Sequence, residues 1–217
     1  MKLTKRPIFR MYKLTISSDN SAAFVKEGTH NMVTSIENES GTLAMFATHE
    51  DLAGTTNYVF EMYQDLDNYN VHAKSPQFKH YGQVAQKVLT GHEMQELKLQ
   101  FLNTKDTALK ITGSNDYVVN CSEVTIAKSS VKEFKSLLGK SITDSIANEP
   151  GTVACYAATS DEAETQWIIL SVYKDITAQN LHVEGTNQDV SKLVVSQTNH
   201  QLHVDTMVSQ GKLEFTD

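Results

Sequence analysis

The chain has 217 residues, 40% of them hydrophobic, and a formal net charge of −7. With no run of Lys or Arg, that balance argues against nucleic acid and anionic membrane surfaces as partners. No window approaches the roughly 18 apolar residues of a membrane span, and the basic start is not followed by the apolar stretch of a secretory signal, so a cytoplasmic protein is expected.

Residues 11–16, rich in branched and aromatic side chains, predict a strand. Ser18 and Asp19 offer N-caps for a helix striped by Phe24, Gly28, Met32 and Ile36, which Asn38-Glu39-Ser40-Gly41 ends. Residues 43–48 and 58–63 read as strands joined by a polar loop. Asp65 caps a second helical region through Tyr69 and His72. Pro76 fits the first turn of a third helix, striped by Phe78, Tyr81, Ala85 and Val88, with Gly91 as its stop. Residues 94–102 alternate as a closing strand. The order is β-α-β-β-α-β, the ferredoxin-like arrangement.

The same order returns. Ser35-Ile36-Glu37-Asn38-Glu39-Ser40-Gly41-Thr42 reappears, without a gap, as Ser145-Ile146-Ala147-Asn148-Glu149-Pro150-Gly151-Thr152, an offset of 110 that also links Phe24 to Phe134, Tyr63 to Tyr173 and His72 to His182. Strands are predicted over 119–126, 153–158, 167–173 and 203–208. One helix carries Val131, Phe134, Leu138, Ile142 and Ile146, and a later one Val190, Leu193, Val194 and Gln197. Two domains are therefore expected, 1–102 and 119–217, joined by a linker over 103–118 in which residues 108–112 could add a short strand. In this order the strands holding Cys121 and Cys155 are separated by a third, roughly 9–10 Å, and a disulfide needs Cα atoms within about 7 Å, so both cysteines are expected as free thiols.

Asn38-Glu39-Ser40-Gly41-Thr42-Leu43, then Phe60-Glu61-Met62-Tyr63, then His72-Ala73-Lys74-Ser75-Pro76-Gln77-Phe78-Lys79-His80-Tyr81 resemble the antibiotic-biosynthesis-monooxygenase (ABM) domain. That family has an Asn-Glu-x-Gly turn, a Glu-x-Tyr or Glu-x-Trp strand and a following His-x-x-Ser-Pro-x-Phe. The resemblance implies an α+β fold in which two ferredoxin-like units pack as a dimeric α+β barrel, intramolecular here, each with a pocket between sheet and helices. It implies a monooxygenase working without flavin or metal on a small aromatic or enolisable molecule. A non-catalytic small-ligand-binding or stress-associated protein is the alternative. Further self-association is compatible with either. Copy two has Ser171 in place of Glu61 and lacks the Ser-Pro-x-Phe sequel to His182, so the larger and more polar pocket is expected in copy one.

Glu61 shares a strand face with Val59 and Tyr63, opposite Tyr58, Phe60 and Met62. Enclosure there would raise its pKa and suit a general acid or base; the alternative is a carboxylate satisfied by tyrosine hydroxyls. His72 could take a proton from a phenol or enol, or its ring could simply fix the loop, as its recurrence in the altered copy suggests. Tyr58, Tyr63, Phe78 and Tyr81 are candidates for an aromatic substrate pocket, as is Trp167, with core packing as the alternative for each. The eight histidines make no cysteine–histidine zinc pattern, and His80 alone is a weak signal for haem, so neither metal nor cofactor is expected.

Overall fold

The computed structural model describes residues 1–160, 162–185 and 188–217. Unit one runs β1 (Ile8–Ile16), α1 (Ser21–Asn38), β2 (Thr42–His49), β3 (Thr56–Tyr63), α2 (Leu66–Lys74), α3 (Pro76–Val88) and β4 (Leu89–Thr104). After β5 (Lys110–Thr112), unit two runs β6 (Val118–Ile126), α4 (Val131–Asn148), β7 (Thr152–Thr159), β8 (Gln166–Tyr173), α5 (Ile176–Gly185), α6 (Gln188–Ser191) and β9 (Val194–Ser209), and β10 (Glu214–Thr216) follows. Asp65 caps α2 by accepting from Asn68 N at 2.9 Å. Ser75 caps α3 with Pro76 in the first turn, where its missing N–H leaves no helix bond unmade.

The sheet closes in the order β1-β3-β2-β9-β6-β8-β7-β4 and back to β1, an eight-stranded antiparallel barrel. Each unit contributes a ferredoxin-like sheet, β2-β3-β1-β4 or β7-β8-β6-β9. The two long strands cross between units. β4 pairs with β1 up to Leu97 and with β7 from Lys98. β9 pairs with β6 up to His203 and with β2 from His203 onward. β5 and β10 add short pairings to β9 and β4.

Every strand is two-sided. Phe9, Phe46, Tyr58, Phe60, Tyr156, Leu170 and Leu202 fill the barrel. The opposite faces pack under the helices, with Phe24, Met32, Met45 and Tyr63 in unit one and Phe134, Ile142 and Trp167 in unit two. Burial on both faces explains why β2, β3, β7 and β8 read as nearly continuous apolar runs. Cys121 and Cys155 are buried and unbonded, with β8 between their strands. Burial pushes both thiols up to about 12.

Two expectations are corrected. The helix predicted through Val190, Leu193, Val194 and Gln197 ends at Ser191, and Val194 and Gln197 open β9. Their helical spacing yields to nine rungs of pairing with β6. Gly91 likewise lies in β4 rather than ending a helix. β4 starts at residue 89 and β9 at 194, an offset of 105 against 110 upstream, so unit two is five residues shorter just before its last strand. Where unit one has the 13-residue α3, unit two has the 4-residue α6.

Candidate functional site

Strand alternation turns Glu61 and Tyr63 of β3 toward α1, α2 and α3. Glu61 is 5% exposed and accepts from Tyr63 Oη at 3.0 Å. Burial holds its carboxyl above the usual carboxylate range, and nearby His72, Tyr63 and Arg10 offset this only in part. His72 of α2 is fully buried, its ring 5.3 Å from Tyr63 and 4.7 Å from Phe78. Its Nδ1 lies 3.1 Å from Glu39 Oε2 and 3.1 Å from Ser35 Oγ. Its Nε2 is buried and has no hydrogen-bond partner.

Glu39 is the partner that the sequence reading missed. It also accepts from Thr42 Oγ1 at 2.6 Å and from Gln77 Nε2 at 2.7 Å. Burial opposes its ionisation, yet the bonds with His72 and Thr42 and the charge of His72 hold its pKa below the ordinary value. Unit two repeats the arrangement: His182 Nδ1 is 2.8 Å from Glu149 Oε2, and Thr152 Oγ1 donates to the same oxygen at 2.5 Å. The signal was in the repeat, since Ser35, Glu39, Thr42 and His72 recur together as Ser145, Glu149, Thr152 and His182. The glycine of the motif has its own reason. A Cβ on Gly41 would lie 2.5 Å from Asn68 Cβ, and one on Gly151 would lie 2.3 Å from Ala178 Cβ. The turn must be bare for the next helix to lie on it.

Tyr63, Phe78 and Tyr81 gather around Glu61 and His72, with Phe78 and Tyr81 6.4 Å apart. Tyr58 does not join them: it points into the barrel, its ring 5.4 Å from His200. Trp167 packs on Phe134 in unit two. The unit-one cluster is closely packed. Arg10 stacks over Tyr69 at 4.1 Å, Tyr12 is half-buried beside it, and α3 covers the rest. A void of about 10 Å³ between α1 and the sheet is lined by Phe24, Gly28, Met32, Val59 and Tyr81 among others, and neither Glu61 nor His72 reaches it.

An open cleft lies in unit two, against the expectation of a larger pocket in copy one. A cleft of about 710 Å³ lies between the sheet and α4, α5 and α6. It lies within the roughly 300–1,000 Å³ usual for small-molecule sites. The cause is substitution at matched positions. Arg10, Tyr12, Glu61 and Tyr69 fill unit one, whereas Asn120, Ser122, Ser171 and Gln179 stand there in unit two and line the cleft. Val190 and Ser191 at the end of α6 line the cleft as well. His182 and Tyr173 also line it. Completeness of the motif thus tracks close packing, not open space. Among the described residues, no cluster of three or more His, Cys, Asp or Glu side chains is arranged to hold a metal.

The solved structure of a provisionally assigned monooxygenase from Lactobacillus acidophilus NCFM is similar over 97% of this chain and 99% of its own, with 24% identity and a TM-score of 0.88. A second such protein, from Fusobacterium nucleatum subsp. nucleatum ATCC 25586, matches over 99% of both chains at 20% identity and a TM-score of 0.87. An anthrone oxidase-like protein shares the fold more distantly, at 14% identity and a TM-score of 0.59 over 97% of this chain and 96% of its own. These likenesses establish a shared tandem fold. No curated protein sequence matches the chain. The antibiotic biosynthesis monooxygenase family matches residues 7–84 and again 118–188, covering well over half of the sequence and both repeats, and the chain belongs to that family.

Proposed function

We propose that the protein is a monooxygenase whose substrate site is the cleft of unit two, with unit one as a filled structural partner. The observation that carries this reading is the contrast between a cleft of about 710 Å³ in one unit and a void of about 10 Å³ in the other. The substrate is a small enolisable or phenolic molecule that itself supplies the electrons for oxygen, without flavin or metal. A CH₂ beside a carbonyl becomes C=O, one atom of O₂ enters the product, and the other leaves as water with the two hydrogens. His182 lines the cleft, and Glu149 behind it fixes the ring through Nδ1. It is the side chain best suited to take the proton whose loss gives the enolate.

A second reading keeps the chemistry in unit one. It is favoured by Glu61, a buried carboxyl held toward its protonated form, beside His72, whose Nε2 lacks a partner. It requires α3 to move off the cluster to admit a substrate.

Oxygen uptake with an anthrone as probe, with mass spectrometry of the product, separates the two. Turnover should give a product with one oxygen gained and two hydrogens lost. Ser122→Tyr, which restores the unit-one residue in the cleft, should abolish turnover, and Glu61→Gln should retain it. The reverse pattern favours unit one. If neither the anthrone nor other enolisable ketones consume oxygen, the enzyme reading fails and a binding protein remains.

A further inference from the structure

The floor of the cleft differs from its unit-one counterpart in charge as well as size. On the helix-facing side of the paired strands, unit one carries Arg10 opposite Glu96, Tyr12 opposite Met94 and Leu14 opposite His92. Unit two carries Asn120 opposite Gln201, Ser122 opposite Asn199 and Val124 opposite Gln197. Leu14 becomes Val124, Tyr12 becomes Ser122, and the other four residues on these rungs all become neutral amides. In unit one the Arg10 guanidinium and the Glu96 carboxylate form an ion pair at 3.5 Å.

The amides are held in a fixed pattern. Asn120 Nδ2 donates to Ser122 Oγ at 2.9 Å, Ser122 Oγ donates to Asn199 Oδ1 at 2.7 Å, and Gln197 Nε2 donates to Asn199 Oδ1 at 2.7 Å. These bonds leave Asn120 Oδ1 and Gln197 Oε1 as acceptors and Asn199 Nδ2 as a donor. On the helix side, Gln179 Oε1 is buried and meets no donor. A buried acceptor without a donor costs about 1–3 kcal/mol, and a ligand hydroxyl or N–H would relieve it. The apolar wall of α4 faces this floor.

We infer that the cleft selects an uncharged ligand with one apolar face and a hydrogen-bonding edge, the edge lying along Asn120, Ser122, Asn199 and Gln197 and donating to Gln179. This rests on the unit-two site proposed above and adds the ligand's charge and the residues that read it. The ionisable side chains lining the cleft are His182, whose Nδ1 already faces Glu149, and the exposed Glu184; a charged ligand would lose water over a floor that brings no counter-ion of its own, which is unfavourable. A neutral ligand exchanges its water for the ladder at little net loss.

The test is calorimetry at pH 7 with two probes of similar shape, 2-naphthol and 2-naphthoate. The naphthol should bind at least tenfold more tightly. Asn199→Leu and Gln179→Leu should each weaken naphthol binding several-fold without changing the melting temperature. Ser122→Tyr, which fills the cleft, should remove binding and so locates the probe. Equal or tighter binding of naphthoate overturns the inference, as does unchanged naphthol binding in both leucine variants or in Ser122→Tyr. If neither probe binds, this inference and the unit-two placement fall together. Selective naphthol binding without oxygen uptake by any enolisable ketone sinks the oxygenase reading and leaves this inference standing.

Discussion

Glu61 shows how a residue that signals a site in the sequence can lie enclosed among its neighbours. Its carboxyl is enclosed, accepts from Tyr63 and lies near Tyr12 and Arg10. Because its folded pKa is raised, it carries no penalty at pH below its free value of about 4.3. As pH rises beyond that, the unfolded chain ionises freely while the folded protein resists, and stability is lost until pH passes the folded value. Each unit of separation costs about 1.4 kcal/mol. Glu61→Gln keeps an acceptor for Tyr63 and removes the ionisable group. It should therefore melt higher than the wild type at pH 7, by about 2–4 °C per kcal/mol recovered, and the difference should vanish near pH 4. A lower melting temperature at pH 7 would show that the charged carboxylate is needed by its neighbours. The enclosure of Glu61 could be read in the sequence from strand alternation. Its close packing could not, because that depends on Arg10 and Tyr12 of β1 and on α3, which come from two other segments of the chain.

At the scale of elements, the Asn-Glu-x-Gly turn and the histidine of the next helix work as one staple. Glu39 binds His72 and Thr42, and Gly41 lets α2 lie against the turn. Gly41→Ala would force its Cβ into Asn68, so α2 must shift. A destabilisation of about 1–3 kcal/mol is expected, read as a fall in the urea midpoint. An unchanged midpoint would mean that α2 has room to move. The element order was legible because the repeat supplied two readings of each strand and helix. The start of β9 was not. Residues 194–201 carry polar side chains toward the cleft, and their strand state comes from pairing with β6, a segment some 75 positions away. The cleft was missed for a related reason. The loss of Ser-Pro-x-Phe in copy two reads as decay, while the small polar residues at positions 120, 122, 171 and 179 line an open cleft.

The whole molecule is closed by two strands that belong to both units. Residues 1–113 alone would leave the β2 edge and the second half of β4 unpaired, with Leu99, Phe101 and Leu102 uncovered. Such edges seek partners. That fragment should form a dimer, each β4 completing the other copy's β2, and analytical ultracentrifugation should show no stable monomer. A well-folded monomer would mean that the barrel is not needed for either unit to fold.

The crossing of β9 also sets a clock. His49 on β2 pairs with His203, 154 positions later. At about 5–20 residues per second, a ribosome needs roughly 8–30 s to supply that partner. Throughout that interval β2, one of the most apolar strands in the chain, lacks its partner from the second unit. Nascent copies on neighbouring ribosomes would meet at that strand before their own last strand exists. The order of synthesis then bears on whether a chain closes on itself or on its neighbour.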